Sequence, residues 1–422
     1  MKDESLDHKN QTYDKRWAIV SIASIPLVMT LGNSMLIPVL PTMEKELNIS
    51  AFQSSLIITV YSVIAIIFIP IAGYLSDKWG RKIIIIPSLI IAGIGGLLSG
   101  WASIQLKEAY TIILIGRMLQ GIGAAGAFPI VLPLVGDMFR KEKDVSSTLG
   151  VIETSNTLGK VLSPILGAFL AGFYWFLPFF AFPLFCLISI IMMIFLVKSP
   201  KNKQEALPFK QFLKKMKVTF KREGRWLVSL FLIGGILMFI LFGVLFFLSS
   251  MLEERYHIGD LKKGFMLAIP LGALCLASYI TGKRIHENKV LMKWVSVIGI
   301  VVMTVSVFLL NVTNHLWLLI AFFVFSGVGI GVCLPCLDSL ITEGIEKDER
   351  GTITSLYSSM RFVGVAAGPP VIALVMKNNE NILFYGIAIL GAITAFICFK
   401  GIRPEDEKNE NLKEGSSNDD NN

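Results

Sequence analysis

Five polar or charged residues stand inside stretches of this sequence that are otherwise apolar, and their chemistry has to be accounted for. Glu153, Asn156 and Lys160 lie three, four and seven residues apart, a spacing that puts them on one face of a helix. A charge in hydrocarbon costs about 2.5 to 3.5 kcal/mol on insertion scales, so this stripe must face protein or water. Glu153 is the first candidate for a proton-carrying carboxylate. Burial and the Lys160 ammonium act on its charge in opposite senses, so its protonation can respond to a change in its surroundings. A permanent Glu153 to Lys160 ion pair that merely neutralises itself is the other reading, and the sequence leaves both open. Arg117 and Arg361 are the remaining cations of this kind; either can orient an anionic substrate or discharge Glu153. Asp137 and Asp338 fall at helix ends and read first as solvated termini.

These side chains need elements to hold them. The chain has 422 residues, 54% hydrophobic and 17% charged, with a mean hydropathy of +0.66, more apolar than a soluble surface allows. The apolar residues gather into twelve stretches of about 20, the length a helix needs to cross about 30 Å of hydrocarbon. Numbered one to twelve, the spans fall at 17–40, 54–75, 83–101, 109–135, 146–170, 176–197, 226–249, 264–281, 293–311, 316–338, 352–376 and 381–399. The fold class expected is an all-α membrane protein with twelve transmembrane helices in two six-helix, pseudo-symmetric bundles, 17–197 and 226–400. Residues 1–16 form a tail too acidic for a secretory leader, so no cleavage is expected. Residues 401–422 are polar and expected to be disordered. The basic linker 198–225 carries Phe209, Phe212, Leu213, Met216 and Phe220 at helical spacings. It reads either as an amphipathic helix on an anionic leaflet or as a solvated connection.

A duplication supports the two halves. Gly121, Gly123 and Pro129 of span four recur as Gly327, Gly329 and Pro335 of span ten, and Gly159 and Pro164 of span five recur as Gly364 and Pro369 of span eleven. Inner connections, with Lys293 at the mouth of span nine, carry 22 of the 39 Lys and Arg, the two tails eight and the outer loops six, which places both termini in the cytoplasm by the positive-inside rule. The formal charge of +8 is therefore a topology signal. It is scattered over short loops and is not the compact basic face of a nucleic-acid binder. Cys333 and Cys336 share a redox or metal spacing but lie in an apolar helix with no further ligand, and the four histidines are scattered, so no metal site is expected. With no phosphate-binding glycine loop, no His-Glu-x-x-His and no Gly-x-Ser-x-Gly, neither nucleotide hydrolysis nor an intramembrane enzyme is expected.

Four motifs carry a family resemblance. The segment Gly73-Tyr-Leu-Ser-Asp77-Lys-Trp-Gly80-Arg81 after span two resembles the signature loop of the major facilitator superfamily. Leu31 to Pro41, ending span one, resembles the pattern of the twelve-span drug and proton antiporters. Arg117 to Ala125 resembles the proton-transfer motif, and Gly159-Lys-Val-Leu-Ser163-Pro164-Ile-Leu-Gly167 resembles the antiporter helix-packing motif. The last is imperfect, with Ser163 replacing a glycine and Lys160 adding a charge. The resemblance implies a secondary transporter that exports hydrophobic or amphipathic compounds in exchange for protons by alternating access, in a bacterial plasma membrane. The alternative is dedicated export of an anionic secreted metabolite, such as a siderophore or a lipid-linked intermediate, because Lys160, Arg117 and Arg361 favour an anion. It implies a proton gradient in place of a cofactor, a proton path through Glu153, Lys160 and Arg117, and a conformational latch at Gly73, Asp77, Gly80 and Arg81 against the start of span eleven near Gly351. Asn156, Arg361, Met35, Tyr61 and Phe239 are substrate-binding candidates. The partners are a small molecule, protons and lipid, with a monomer sufficient.

Overall fold

The computed structural model describes residues 2–106, 108–139, 142–197, 209–285, 288–345, 347–376 and 380–402. Twelve helical spans run through it, with no strand among these residues. Span one is Lys2–Ser34, continued by the 3-10 turn Ile37–Val39 and the short helix Leu40–Leu47, with Pro38 and Pro41 at the breaks. Spans two and three are Ala51–Trp79 and Arg81–Gln105. Span four is split into Tyr110–Ala127 and Val131–Met138, on either side of Pro129, which cannot donate to the helix ladder. Spans five to eight are Glu142–Ala171, Leu177–Leu196, Phe209–Glu254 and Asp260–Arg284; nine to twelve are Lys289–Leu309, Leu316–Glu343, Lys347–Met376 and Glu380–Gly401.

Eleven spans are long and apolar enough to cross a membrane. Span five falls short of that standard because Glu153, Asn156, Thr157, Lys160 and Ser163 dilute its apolar surface. Its position inside the bundle makes the dilution tolerable: it packs on spans one and eight.

The helices pair in the same way in each half. Span five lies on span one and span eleven on span seven; span four packs on two and three as span ten packs on eight and nine. The repeated glycines make these contacts. A Cβ at Gly121 would stand 2.4 Å from the Tyr61 carbonyl oxygen of span two, and one at Gly327 would stand 2.4 Å from that of Pro270 in span eight. Backbones can approach this closely only where no side chain intervenes, the packing mode that replaces the hydrophobic effect between helices in lipid.

An even number of spans puts both termini on one face. At the opposite, distal face the two halves are closed on each other. Ser249 donates to the Ile37 carbonyl at 3.0 Å, Thr59 to the Ala366 carbonyl at 2.7 Å, and Lys45 of the first half pairs with Glu253 of the second at 2.6 Å. Spans five and eight touch there as well, since a Cβ at Gly264 would lie 2.5 Å from the Pro164 carbonyl oxygen.

Two segments flanking the expected bundles are helical. The tail expected at 1–16 is helical from Lys2 and runs without a break into span one. The linker enters span seven as a helix from Phe209, bent at Gly224, whose φ of +24° only glycine adopts readily. The linker side chains Phe209, Phe212, Leu213, Met216 and Phe220, and the tail beyond 402, lie outside the described residues.

Candidate functional site

Span five is seated against span one by its glycines. A Cβ at Gly167 would stand 2.0 Å from the Met35 carbonyl oxygen, and one at Gly159 3.1 Å from that of Leu27. Pro164 offers no amide hydrogen to the Lys160 carbonyl. Ser163, where the family motif has glycine, turns its hydroxyl back onto the Gly159 carbonyl at 2.6 Å and so costs no unpaired group. This seating turns the polar stripe toward the interface between the halves.

Within the stripe, Asn156 is the hinge of the hydrogen bonding. Its Oδ1 accepts from Thr30 of span one at 2.6 Å, and its Nδ2 donates to both carboxylate oxygens of Glu153 at 3.2 and 3.4 Å. Glu153 does not pair with Lys160. The permanent ion pair left open by the sequence is absent, and the Lys160 ammonium is buried with no hydrogen-bond partner while its residue is 7% exposed.

The second half supplies the rest of the cluster. Arg361 of span eleven pairs with Asp338 of span ten at 3.3 Å and lies 5.7 Å from the Tyr357 ring centre. Asp338, read from sequence as a solvated helix end, is instead drawn into the cluster. Its charge and those of Arg361, Glu153 and Lys160 act on one another across the interface. The reason is the length of span ten, which runs on to Glu343 and so leaves Asp338 a full turn inside the helix. Two cations and two carboxylates, one of each from either half, therefore balance. Asp338 and Arg361 keep 32% and 17% of their side-chain surface exposed.

Arg117 lies elsewhere. It is fully buried, and its Nε donates to the Ile57 carbonyl at 2.8 Å, Nη1 to the Gly32 carbonyl at 3.2 Å and to Gln120, and Nη2 to Asn33 at 2.6 Å; its guanidinium sits 4.5 Å from the Tyr61 ring centre. These contacts tie spans one, two and four together inside the first half. The structure does not bring Arg117 to Glu153.

The signature loop is built on Arg81. Its guanidinium pairs with Asp77 and, through Nε at 3.1 Å, with Asp137, while Nη1 donates to Ser76 at 2.7 Å. Gly80, at φ +106°, makes the corner between spans two and three. Asp137 is thus a member of this cluster and not a free helix end. The side chains at the start of span eleven, the expected partner of the loop, lie outside the described residues.

The remaining substrate candidates fare differently. Met35 and Tyr61 are buried within the first half, taken up by the approach of Gly167 and by Arg117. Phe239 is half-buried, and its backbone receives Gly364 and Gly368. A narrow cavity of about 10 Å³ between the halves is lined by Ser34, Lys160, Leu241, Phe242, Leu245 and Leu271, among others, room for about one water in this conformation. Sequence reading missed Ser34 and the leucines, since nothing distinguishes a pocket-lining leucine from a lipid-facing one.

Residues 22–369 and 291–418 match the profile described as Major Facilitator Superfamily. The chain is 53% identical to the bacillibactin exporter of Bacillus subtilis over 395 residues, 93% of this chain and 98% of that one. It is 26% identical to multidrug resistance protein 1 of the same organism, over 86% of this chain and 90% of that one. The fold superposes on the human organic anion transporter MFSD10 (TM-score 0.72, 18% identity, 91% and 99% covered). It also superposes on a D-xylose-proton symporter (TM-score 0.75, 13% identity, 92% and 98% covered).

Proposed function

The chain belongs to the major facilitator superfamily, and we propose that it exports an anionic secreted metabolite of the siderophore class, bacillibactin or a compound of that kind, in exchange for protons by alternating access. The observation that carries this reading is the 53% identity to a bacillibactin exporter along nearly the whole of both chains. Broad multidrug export, the first expectation from the motifs, rests on relatives half as similar. The central cluster supports the choice, because the buried, unpartnered Lys160 ammonium lines the pocket and suits a ligand that brings negative charge.

The positive-inside distribution of Lys and Arg puts both termini in the cytoplasm of a bacterial cell. The closed distal face is then the outer one, and this conformation is the one that loads substrate from inside. The two bundles rock about the cluster to expose it outward. Glu153 is the proton carrier: Asn156 holds its carboxylate at the interface, where a change of access alters its contact with water and with the charges of span ten and span eleven. No cofactor is needed, since each proton moved inward releases about 2.3 kcal/mol per 100 mV. One chain contains both bundles and suffices.

Inverted membrane vesicles test this directly. Energised vesicles containing the unaltered protein should accumulate bacillibactin and release protons on its addition; Glu153→Gln should bind bacillibactin but lose the proton signal. Absence of bacillibactin uptake by the unaltered protein, with uptake of cationic dyes, would return the reading to multidrug export. Full coupling in Glu153→Gln would move the carrier to Asp338.

A further inference from the structure

Three cations lie well inside the spans, and two of them are spent. Arg117 gives its donors to two backbone carbonyls and two side-chain amides inside the first half. Arg361 is committed to Asp338. Lys160 differs: its ammonium is shielded from solvent and donates to no acceptor, yet burying an ammonium costs several kcal/mol unless hydrogen bonds and an opposite charge offset it. The same residue lines the pocket between the halves. Ser34 is the other polar lining group; the opposite wall is Leu241, Phe242 and Leu245 of span seven with Leu267 and Leu271 of span eight.

We infer that Lys160 is the anchor for a negatively charged oxygen of the transported molecule, whose apolar body lies against Leu241, Phe242 and Leu245. This rests on the export reading above and narrows it to one residue and one recognition chemistry. An oxyanion at hydrogen-bond distance satisfies the orphan ammonium by a charge-assisted bond, about twice as strong as a neutral one. The nearest carboxylates do not take that place: Glu153 is held by Asn156, and Asp338 by Arg361. The anchor stands on span five of the first half and the apolar wall on spans seven and eight of the second, so a molecule bound to both spans the interface that must open and close. An uncharged analogue fills the wall and leaves the ammonium unpaired, which is how the site rejects it.

Saturation-transfer NMR on the full chain in lipid nanodiscs, with bacillibactin, salicylate and its uncharged counterpart salicylamide as separate probes, tests the anchor. The unaltered protein should bind salicylate at least tenfold more tightly than salicylamide. Lys160→Met should lose that preference and bind bacillibactin at least tenfold more weakly, while Lys160→Arg keeps both. Lys160→Met removes an unpaired buried charge without adding volume, so its thermal unfolding should match or exceed that of the unaltered protein, which separates loss of binding from loss of fold. Salicylate preference and bacillibactin affinity unchanged in Lys160→Met would overturn the inference, as would an unaltered protein that binds neither anion. Binding of salicylate through Lys160 without any binding of bacillibactin would keep the anchor and remove the siderophore.

Discussion

Replacing Arg117 by Met decides whether this arginine holds the first bundle together or moves protons. The substitution leaves two backbone carbonyls, of Ile57 and Gly32, and two amide oxygens, of Asn33 and Gln120, without their donor. An acceptor left unpaired in a buried site costs about 1 to 3 kcal/mol. The two side-chain amides can rotate toward each other, so the lower end, about 1 kcal/mol each, is the better figure for all four groups. Loss of the guanidinium from the Tyr61 ring adds about 0.5 to 1 kcal/mol. The sum is about 4.5 to 5 kcal/mol. For a unit of some 150 to 250 residues each kcal/mol moves Tm by about 2 to 4 °C, so Arg117→Met should unfold roughly 10 °C or more below the unaltered protein. Arg117→Lys retains the charge but has three donors on a compact head and no planar fork, and should fall between the two. Intrinsic-fluorescence melting of the purified proteins in detergent, run beside bacillibactin-evoked proton release, gives the comparison. An Arg117→Met protein that melts within about 2 °C of the unaltered one and has lost its proton signal would refute the structural role and return Arg117 to the proton path.

Two further outcomes follow from the packing. Gly167→Leu places a side chain where a single Cβ already meets the Met35 carbonyl; overpacking of this kind costs about 1 to 3 kcal/mol or more. Folded yield should drop and transport should be lost, whereas Gly136→Ala, which meets nothing within 4 Å, should behave normally in the same expression and uptake assays. At the distal face, Lys45→Glu replaces an attraction to Glu253 with a repulsion. Lys45 is 67% exposed, so each contribution is at most about 1 kcal/mol. The closed distal state should lose on the order of tenfold in relative population, read as a longer distance between spin labels placed on the distal ends of spans two and eight.

The architecture was legible in the residues alone, because membrane crossing is a local property. A run of about 20 apolar residues must become a helix in lipid whatever its neighbours do, and the repeated Gly and Pro of spans four, five, ten and eleven fixed the two-fold plan. Spacing also singled out Glu153, Asn156 and Lys160 as one stripe, since helical periodicity is local too. What each charge faces was decided by tertiary structure alone. Glu153 and Lys160 share a helix face, yet Asn156, held by Thr30 of span one, takes the carboxylate and leaves the ammonium alone. Arg117 and Arg361 look alike in sequence, one caged by spans one, two and four, the other facing Asp338 across 23 residues of chain. Lys45 and Glu253 meet although 208 residues apart. Such partnerships depend on how helices are stacked, and no spacing within one helix encodes them.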